Sequence, residues 1–341
     1  MAATTSPPPT LNLCVVLSES KRILNAHSRH FLALSVLFLL PLSFSFIVFP
    51  TLQNLLASPI PDNSQIFLSL NLHLRHHHRD QSLYSTKTLL LTLAFSVFVF
   101  VFSLWAVGSI TYSVFHGFYG RPVKLLSAVK SVFSSFFPLM GTALFVQIIV
   151  SVIVFIFGLF LFLVVTSARV LGFQVEISSP YFLGLIGFVG IALMVVLVYL
   201  QVNWILVCVV VVVESTWGFE ALRRSAGLIK GMRGIGLSLS LFFGFFAGLL
   251  AWCSSFSAMG FDNDGADGWK SWQFVVQIVV TSTFLMLVLL YDVAANTVLY
   301  MYCKALHGEL AMEIAEEFAR EYVCLPFDDG KVPHLVSVAY N

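Results

Sequence analysis

The chain has 341 residues, 58% of them hydrophobic and only 10% charged, and its mean hydropathy is +0.92. One soluble core cannot hide that much apolar surface, so composition alone predicts a polytopic membrane protein. A net charge of +1 argues against the clustered basic surface that nucleic acid requires. The five cysteines, Cys14, Cys208, Cys253, Cys303 and Cys324, form no CxxC pair; they read as small buried hydrophobes, with neither a disulfide framework nor a zinc site indicated.

Residues 1–10, MAATTSPPPT, have the small, polar, Pro-rich composition of a disordered N-terminus. From there Leu13, Val16, Leu17, Ser20, Ile23 and Leu24 share one side of a helix, with Glu19, Lys21 and Arg22 off it, which predicts an interfacial amphipathic helix. The run Phe31 to Phe49 is the first span, long enough at about 1.5 Å per residue for a bilayer core of about 30 Å; Pro41 should kink it. Pro50 to Lys87 reads as a polar loop containing LRHHHRD, Leu74 to Asp80. Adjacent histidines on a loop cannot converge on one tetrahedral ion without other ligands, so no metal site is expected there.

The second span covers Thr88 to Tyr112. After it Pro122 suits a first helical turn, and Leu125, Leu126, Val129, Val132, Phe133 and Phe136 make an apolar stripe opposite Lys124, Ser127, Ser131 and Ser135. Met140 to Val165 is the third span. Tyr181 to Val213 is the fourth, longer than a perpendicular crossing needs and carrying Gln201, Asn203 and Trp204.

Glu214 to Arg233 is a charged island between two apolar runs. Ala221, Leu222, Ser225, Ala226, Leu228, Ile229 and Met232 fall on one side of a helix, with Glu220, Arg223, Arg224, Gly227 and Lys230 on the other. The pattern predicts a basic helix in the headgroup layer with its cations towards anionic lipid. Ser215 or Thr216 is its expected cap, Glu220 the expected partner of Arg224, and Gly231 and Gly234 bracket its end.

Gly236 to Trp252 is the fifth span. The loop Phe261 to Gln273 has a passing likeness to a calcium loop, but counted from Asp262 its sixth position lacks Gly and its twelfth is Gln273 where Glu is needed. The sixth span, Phe274 to Cys303, carries Asp292 well inside it, where an unpaired carboxylate costs about 2.5 to 3.5 kcal/mol. Asn296 lies one turn on and Tyr300 two, which predicts one polar stripe with Gln201 or Asn203 as opposing donors. Such a stripe is either an ion or proton site or a structural hydrogen bond between helices. Glu309, Glu313, Glu316, Glu317, Arg320 and Glu321, with Leu310, Ile314, Phe318 and Tyr322 at helical spacing, predict an acidic amphipathic helix, and an unstructured tail follows Pro326.

Lys21, Arg22 and Arg29, then Arg121, Lys124 and Lys130, then Arg223, Arg224, Lys230 and Arg233, then Lys304, Arg320 and Lys331 fall on one side of a six-span arrangement. The positive-inside tendency makes that side cytoplasmic, together with both termini and the amphipathic helices. The expected organisation is a disordered 1–10, an all-α six-span membrane domain over 11–303, and a cytoplasmic helix and tail over 304–341. The order of elements reads as three repeats, 11–112, 120–213 and 214–303, each a basic helix before a membrane hairpin; short linkers in any polytopic chain give the same order.

LSESKRILNAHSRHF with LPLSF in the first span, GRPVKLLSAVKSVF after the second, and VVESTWGFEALRRSAGLIKGMRG after the fourth resemble a plant family of multi-spanning membrane proteins without assigned activity, over most of Leu11 to Leu325. More remotely, the E-x(5)-E-A-L-R-R-S-x(2)-L-I-K-G run, Glu214 to Gly231, is similar to the membrane domain attached to some bacterial glycerophosphodiester phosphodiesterases. Those enzymes keep their catalysis in a separate soluble barrel that has no counterpart in this sequence. The resemblance therefore implies membrane architecture and no catalytic residue.

The leading functional expectation is a non-enzymatic membrane component that organises lipids, anionic headgroups above all, or membrane-protein partners. The alternative is a small-molecule or ion transporter using the polar groups near Asp292. A lipid-modifying enzyme ranks last, because the sequence has no HExxH, GxSxG, CxxC or paired acidic motif. No cofactor is expected. Long spans without an organellar signal point to the endoplasmic reticulum or plasma membrane.

Overall fold

A bilayer offers no water to backbone N–H and C=O groups, so long apolar runs must close their hydrogen bonds within helices. The computed structural model, which describes residues 12–57, 73–121, 123–170, 180–261, 272–312, 322–324 and 335–337, is accordingly an all-α polytopic bundle. In chain order the helices are α1 (Leu13–Ala26), α2 (Ser28–Leu34), α3 (Leu40–Ala57), α4 (His73–Phe118), α5 (Leu125–Val170), α6 (Pro180–Trp204), α7 (Val207–Glu214), α8 (Phe219–Leu228), α9 (Arg233–Phe261) and α10 (Trp272–Leu306). Six stretches among the described residues are long and apolar enough to cross a membrane: Ser28–Pro50, Thr88–Phe118, Leu125–Val170, Phe182–Glu214, Arg233–Ser254 and Val275–Leu306.

The axis of the bundle is α10. Its most apolar window is 39% buried, next to the 44% of Ser28–Pro50, whereas none of the corresponding window of α5 is. Leu290, Ala294, Ala295, Val298, Leu299 and Met301 form its buried face, against which α1, α3, α4 and α9 pack. The two alanines let neighbouring helices approach closely, the usual device where lipid supplies no hydrophobic drive. At the other extreme, α5 shows lipid-facing Phe133, Phe137, Leu144, Ile148, Phe155 and Phe162.

Next to Pro41 the hydrogen-bond ladder of the first span changes. A π-helical turn, Ser35–Leu39, sits between α2 and α3 just ahead of it; proline has no N–H to give to residue i−4 and its ring crowds that carbonyl, and a widened turn relieves both.

Several boundaries differ from the sequence reading. The polar loop is shorter, since α3 runs to Ala57 and α4 begins at His73, which places LRHHHRD within α4. The reason is plain in the chain: no Gly or Pro occurs between His73 and Val107 to break the helix. The stripe after Gly120 is no separate helix but the start of α5, whose 46 residues extend about 69 Å. It divides around the helix, with Val132 buried and Leu126 and Phe133 exposed. Pro122 lies outside the described residues, as do 1–10 and most of the calcium-like loop.

The C-terminal region also departs from expectation. Residues 309–312 are helical, and 313–321 lie outside the described residues. Tyr322 belongs to a strand, β1 (Tyr322–Cys324), which pairs antiparallel with β2 (Leu335–Ser337). Val323, Val336 and Leu335 are apolar or β-branched residues suited to such a ribbon, and part of the expected unstructured tail is thus ordered.

α1 and α8 turn the apolar sides read from the sequence towards protein. α1 buries Val16, Ser20, Ile23 and Leu24 against α10, α4 and α9; at its end Ile23 meets α4 where Gly117 leaves room. α8 buries Ala221, Leu222, Ser225 and Leu228, and the Ser225 hydroxyl donates to the Asn203 carbonyl at 2.8 Å.

Candidate functional site

The fourth span breaks. α6 ends at Trp204, the chain turns through Ile205 and Leu206, and α7 resumes at Val207. Helices α4, α5, α9 and α10, with the α6–α7 turn and its flanks, line an open-sided cavity of about 930 Å³, near the upper end of the range for ligand sites. One reason for the space is a run of small side chains. Ser240, Gly244 and Ala247 line it from successive turns of α9, and a Cβ built on Gly244 meets nothing within 4 Å.

Most of the lining is apolar, and Asp292, Asn296, Gln201, Gln147 and Thr142 bring polar groups into it. Among the described residues Asp292 is its single acidic one, and no Lys, Arg or His lines it. The i,i+4 contact read from the sequence forms, with Asn296 Nδ2 donating to Asp292 Oδ1 at 3.2 Å. A carboxylate only accepts, so the amide orientation follows from chemistry. The Asn296 Oδ1 acceptor is then left buried and without a partner among the described residues.

The opposing donors differ from expectation. Gln201 reaches the same cavity but bonds no described group. Asn203 faces away, its Nδ2 donating to the Tyr199 carbonyl at 2.8 Å. An amide NH2 that bonds a carbonyl one turn back on its own helix is not available across the cavity. Tyr300 leaves the stripe altogether: its hydroxyl donates to Glu214 Oε1 at 2.8 Å.

That bond belongs to a charged cluster which the sequence reading missed. Arg224 Nε donates to Glu214 Oε2 at 3.0 Å, Arg224 Nη1 donates to Glu309 Oε1 at 3.0 Å, and Nη2 also pairs with Glu309. One guanidinium fork thus joins the end of α7, α8 and the segment after α10. Arg224 is therefore no lipid-facing cation paired with Glu220, and the correction has a geometric cause. α8 begins at Phe219 after Gly218, whose φ of 66° suits only glycine well, and the Gly218 N–H donates to Thr142 Oγ1 at 2.9 Å. Ser215 instead ends α7 in a left-handed conformation, and Thr216 Oγ1 is buried with no partner among the described residues. Neither caps α8, and the resulting start turns Arg224 inward.

The other basic residues separate into two groups. Lys21, Lys124, Lys130, Arg223 and Lys230 are exposed. Arg22 pairs with Glu19, Arg121 lies over the Tyr119 ring, and Arg233 lies over the Tyr199 ring. Among the described residues, no group of three or more His, Cys, Asp or Glu could hold a metal ion.

The hydrogen bond from Arg224 is the main reason the Glu309 carboxyl lies below the ordinary carboxylate range, and its two acidic partners push the Arg224 guanidinium upward. A carboxyl lowered by folding stabilises the native state above its unfolded pKa, and that contribution is lost as pH falls through the lower folded value. Glu309→Gln should therefore have a lower unfolding midpoint than the parent at pH 7. The gap between the two melting curves should begin to narrow as the pH falls below the ordinary carboxylate range and keep narrowing on further acidification, and a gap of constant size from pH 7 down to the acid limit would show that the pair does not carry it.

A family model matches residues 9–329, a range that takes in all ten helices and β1. The chain belongs to the family described as Domain of unknown function (DUF8558). No curated protein matches it, and no solved structure does. The DUF8558 description assigns no activity, so the chemistry of the cavity must be argued from its own residues.

Proposed function

We propose that the protein is a non-enzymatic, multi-pass membrane carrier that binds a small amphiphilic molecule inside the helix bundle. The observation that supports this reading is the 930 Å³ cavity, apolar over most of its wall with a few convergent polar groups at Asp292, Asn296 and Gln201. Its position beside an interrupted helix fits the way transporters expose polar backbone only where it lines a cavity. The test uses the full-length protein in nanodiscs, titrated with a dansylated eleven-carbon alcohol. Saturable blue-shifted emission above that of empty nanodiscs is expected, and emission that tracks lipid content alone would refute the reading.

A second role, organising anionic lipid, is favoured by the exposed Lys21, Lys124, Lys130, Arg223 and Lys230, with Trp217 and Phe219 exposed beside them in sequence. On this reading, replacing Arg223 and Lys230 by Gln should reduce anionic phospholipid retained through purification, measured by native mass spectrometry. By the positive-inside tendency the same cations support a cytoplasmic side for both termini, and the long spans support the endoplasmic reticulum or plasma membrane as the site. A tag at either end should be protease-accessible from the cytosol, and protection of one of them would reverse the arrangement.

A further inference from the structure

The charge of the cavity narrows what it can hold. Among the described residues its wall brings one carboxylate, Asp292, and no cationic side chain, so an anionic ligand would meet a like charge with no cation to offset it, while a cation would offset the cost of holding the acid near the middle of the span Val275–Leu306. The hydrogen-bond inventory sharpens the point. Asn296 Nδ2 is the sole described donor to Asp292, and Asn296 Oδ1 accepts from nothing described. Gln201 brings an amide, with both a carbonyl and an NH2 group, to the same space. The Asp292 carboxylate and the Asn296 oxygen are thus acceptors short of described donors. A primary ammonium carries three N–H donors and no acceptor, the complement of that set. The rest of the wall, including Phe100, Leu104, Phe243, Val288 and Leu289, suits a hydrocarbon chain.

We infer that the cavity selects a protonated primary amine bearing an apolar chain, with its ammonium held by Asp292 and Asn296 and its chain along the apolar wall. The inference rests on the carrier reading above, and the two fail separately. Dodecylamine, 1-dodecanol and dodecanoate are compared at pH 7.5 as competitors of the dansylated alcohol on the full-length protein in nanodiscs, with empty nanodiscs subtracted. Dodecylamine should displace the probe about tenfold more effectively than dodecanol, as one charge-assisted contact implies, and dodecanoate should be the weakest. The amine-to-alcohol ratio should fall to about one in Asp292→Asn and recover in Asp292→Glu. Gln201→Lys, which leaves Asp292 in place and supplies an ammonium from the protein itself, should lower the same ratio and supports the inference even where Asp292→Asn does not fold. Equal displacement by amine and alcohol on the parent protein would overturn the inference while leaving the carrier reading intact, as would an amine preference that survives in both variants. Failure of the probe to bind at all would remove both.

Discussion

Arg224→Ala is expected to lower stability by about 2 kcal/mol, read as a drop of several degrees in the unfolding midpoint of the detergent-solubilised protein. Removing the guanidinium leaves Glu214 without the Nε donor and Glu309 without both of its charge-assisted bonds. Fully buried pairs cost more to break, about 3 to 5 kcal/mol. Here the Arg224 and Glu309 side chains are 35% exposed and Glu214 is 18% exposed, so water recovers part of the loss. Arg224→Lys should fall between, since a point charge cannot form the two-sided fork. The sharper test is the combination with Glu309→Gln. That change destabilises the parent, but in the Arg224→Ala background it should stabilise, because two carboxylates that shared a cation are otherwise left facing one another. Additive losses in the double variant would show that the three groups do not act together.

The cluster also marks where sequence reasoning stops. Hydropathy locates all six spans, because burial in lipid demands a length and a composition that nothing else in the chain imitates. The Asp292–Asn296 contact is legible for a similar reason, since i,i+4 neighbours on a helix must meet. Arg224 is a different case. Its nearest candidate on its own helix is Glu220, and its actual partners lie 10 residues back and 85 residues on, a pairing fixed by how α7, α8 and α10 converge. The faces of α1 and α8 are correctly drawn, but a 3.6-residue period records only that one side is apolar, and lipid and a neighbouring helix satisfy it equally. Gln201 and Asn203 lie two residues apart on α6 and cannot share one helix face, and neither donates to the acid: Asn203 bonds the Tyr199 carbonyl, and the described donor to Asp292 is Asn296. The signal that was available and unused is the spacing of Ser240, Gly244 and Ala247, a small-residue face on α9 that leaves room beside it.

That face yields the most discriminating expectation for the carrier reading. Gly244→Trp should weaken binding of the dansylated alcohol at least about tenfold while leaving the unfolding midpoint unchanged or raising it. The two signs follow from one geometry. Gly244 lies within α9, where glycine costs about 1 kcal/mol relative to alanine through its backbone entropy, and its added Cβ meets no heavy atom within 4 Å. The first atom of the new side chain therefore meets open space, and an indole directed into the cavity that Gly244 lines would exclude volume a ligand chain would use. An ordinary core glycine behaves oppositely, since overpacking there costs about 1 to 3 kcal/mol. A destabilised Gly244→Trp protein would mean that the space is not present in solution, and a stable variant that binds the alcohol as the parent does would place the ligand elsewhere in the molecule.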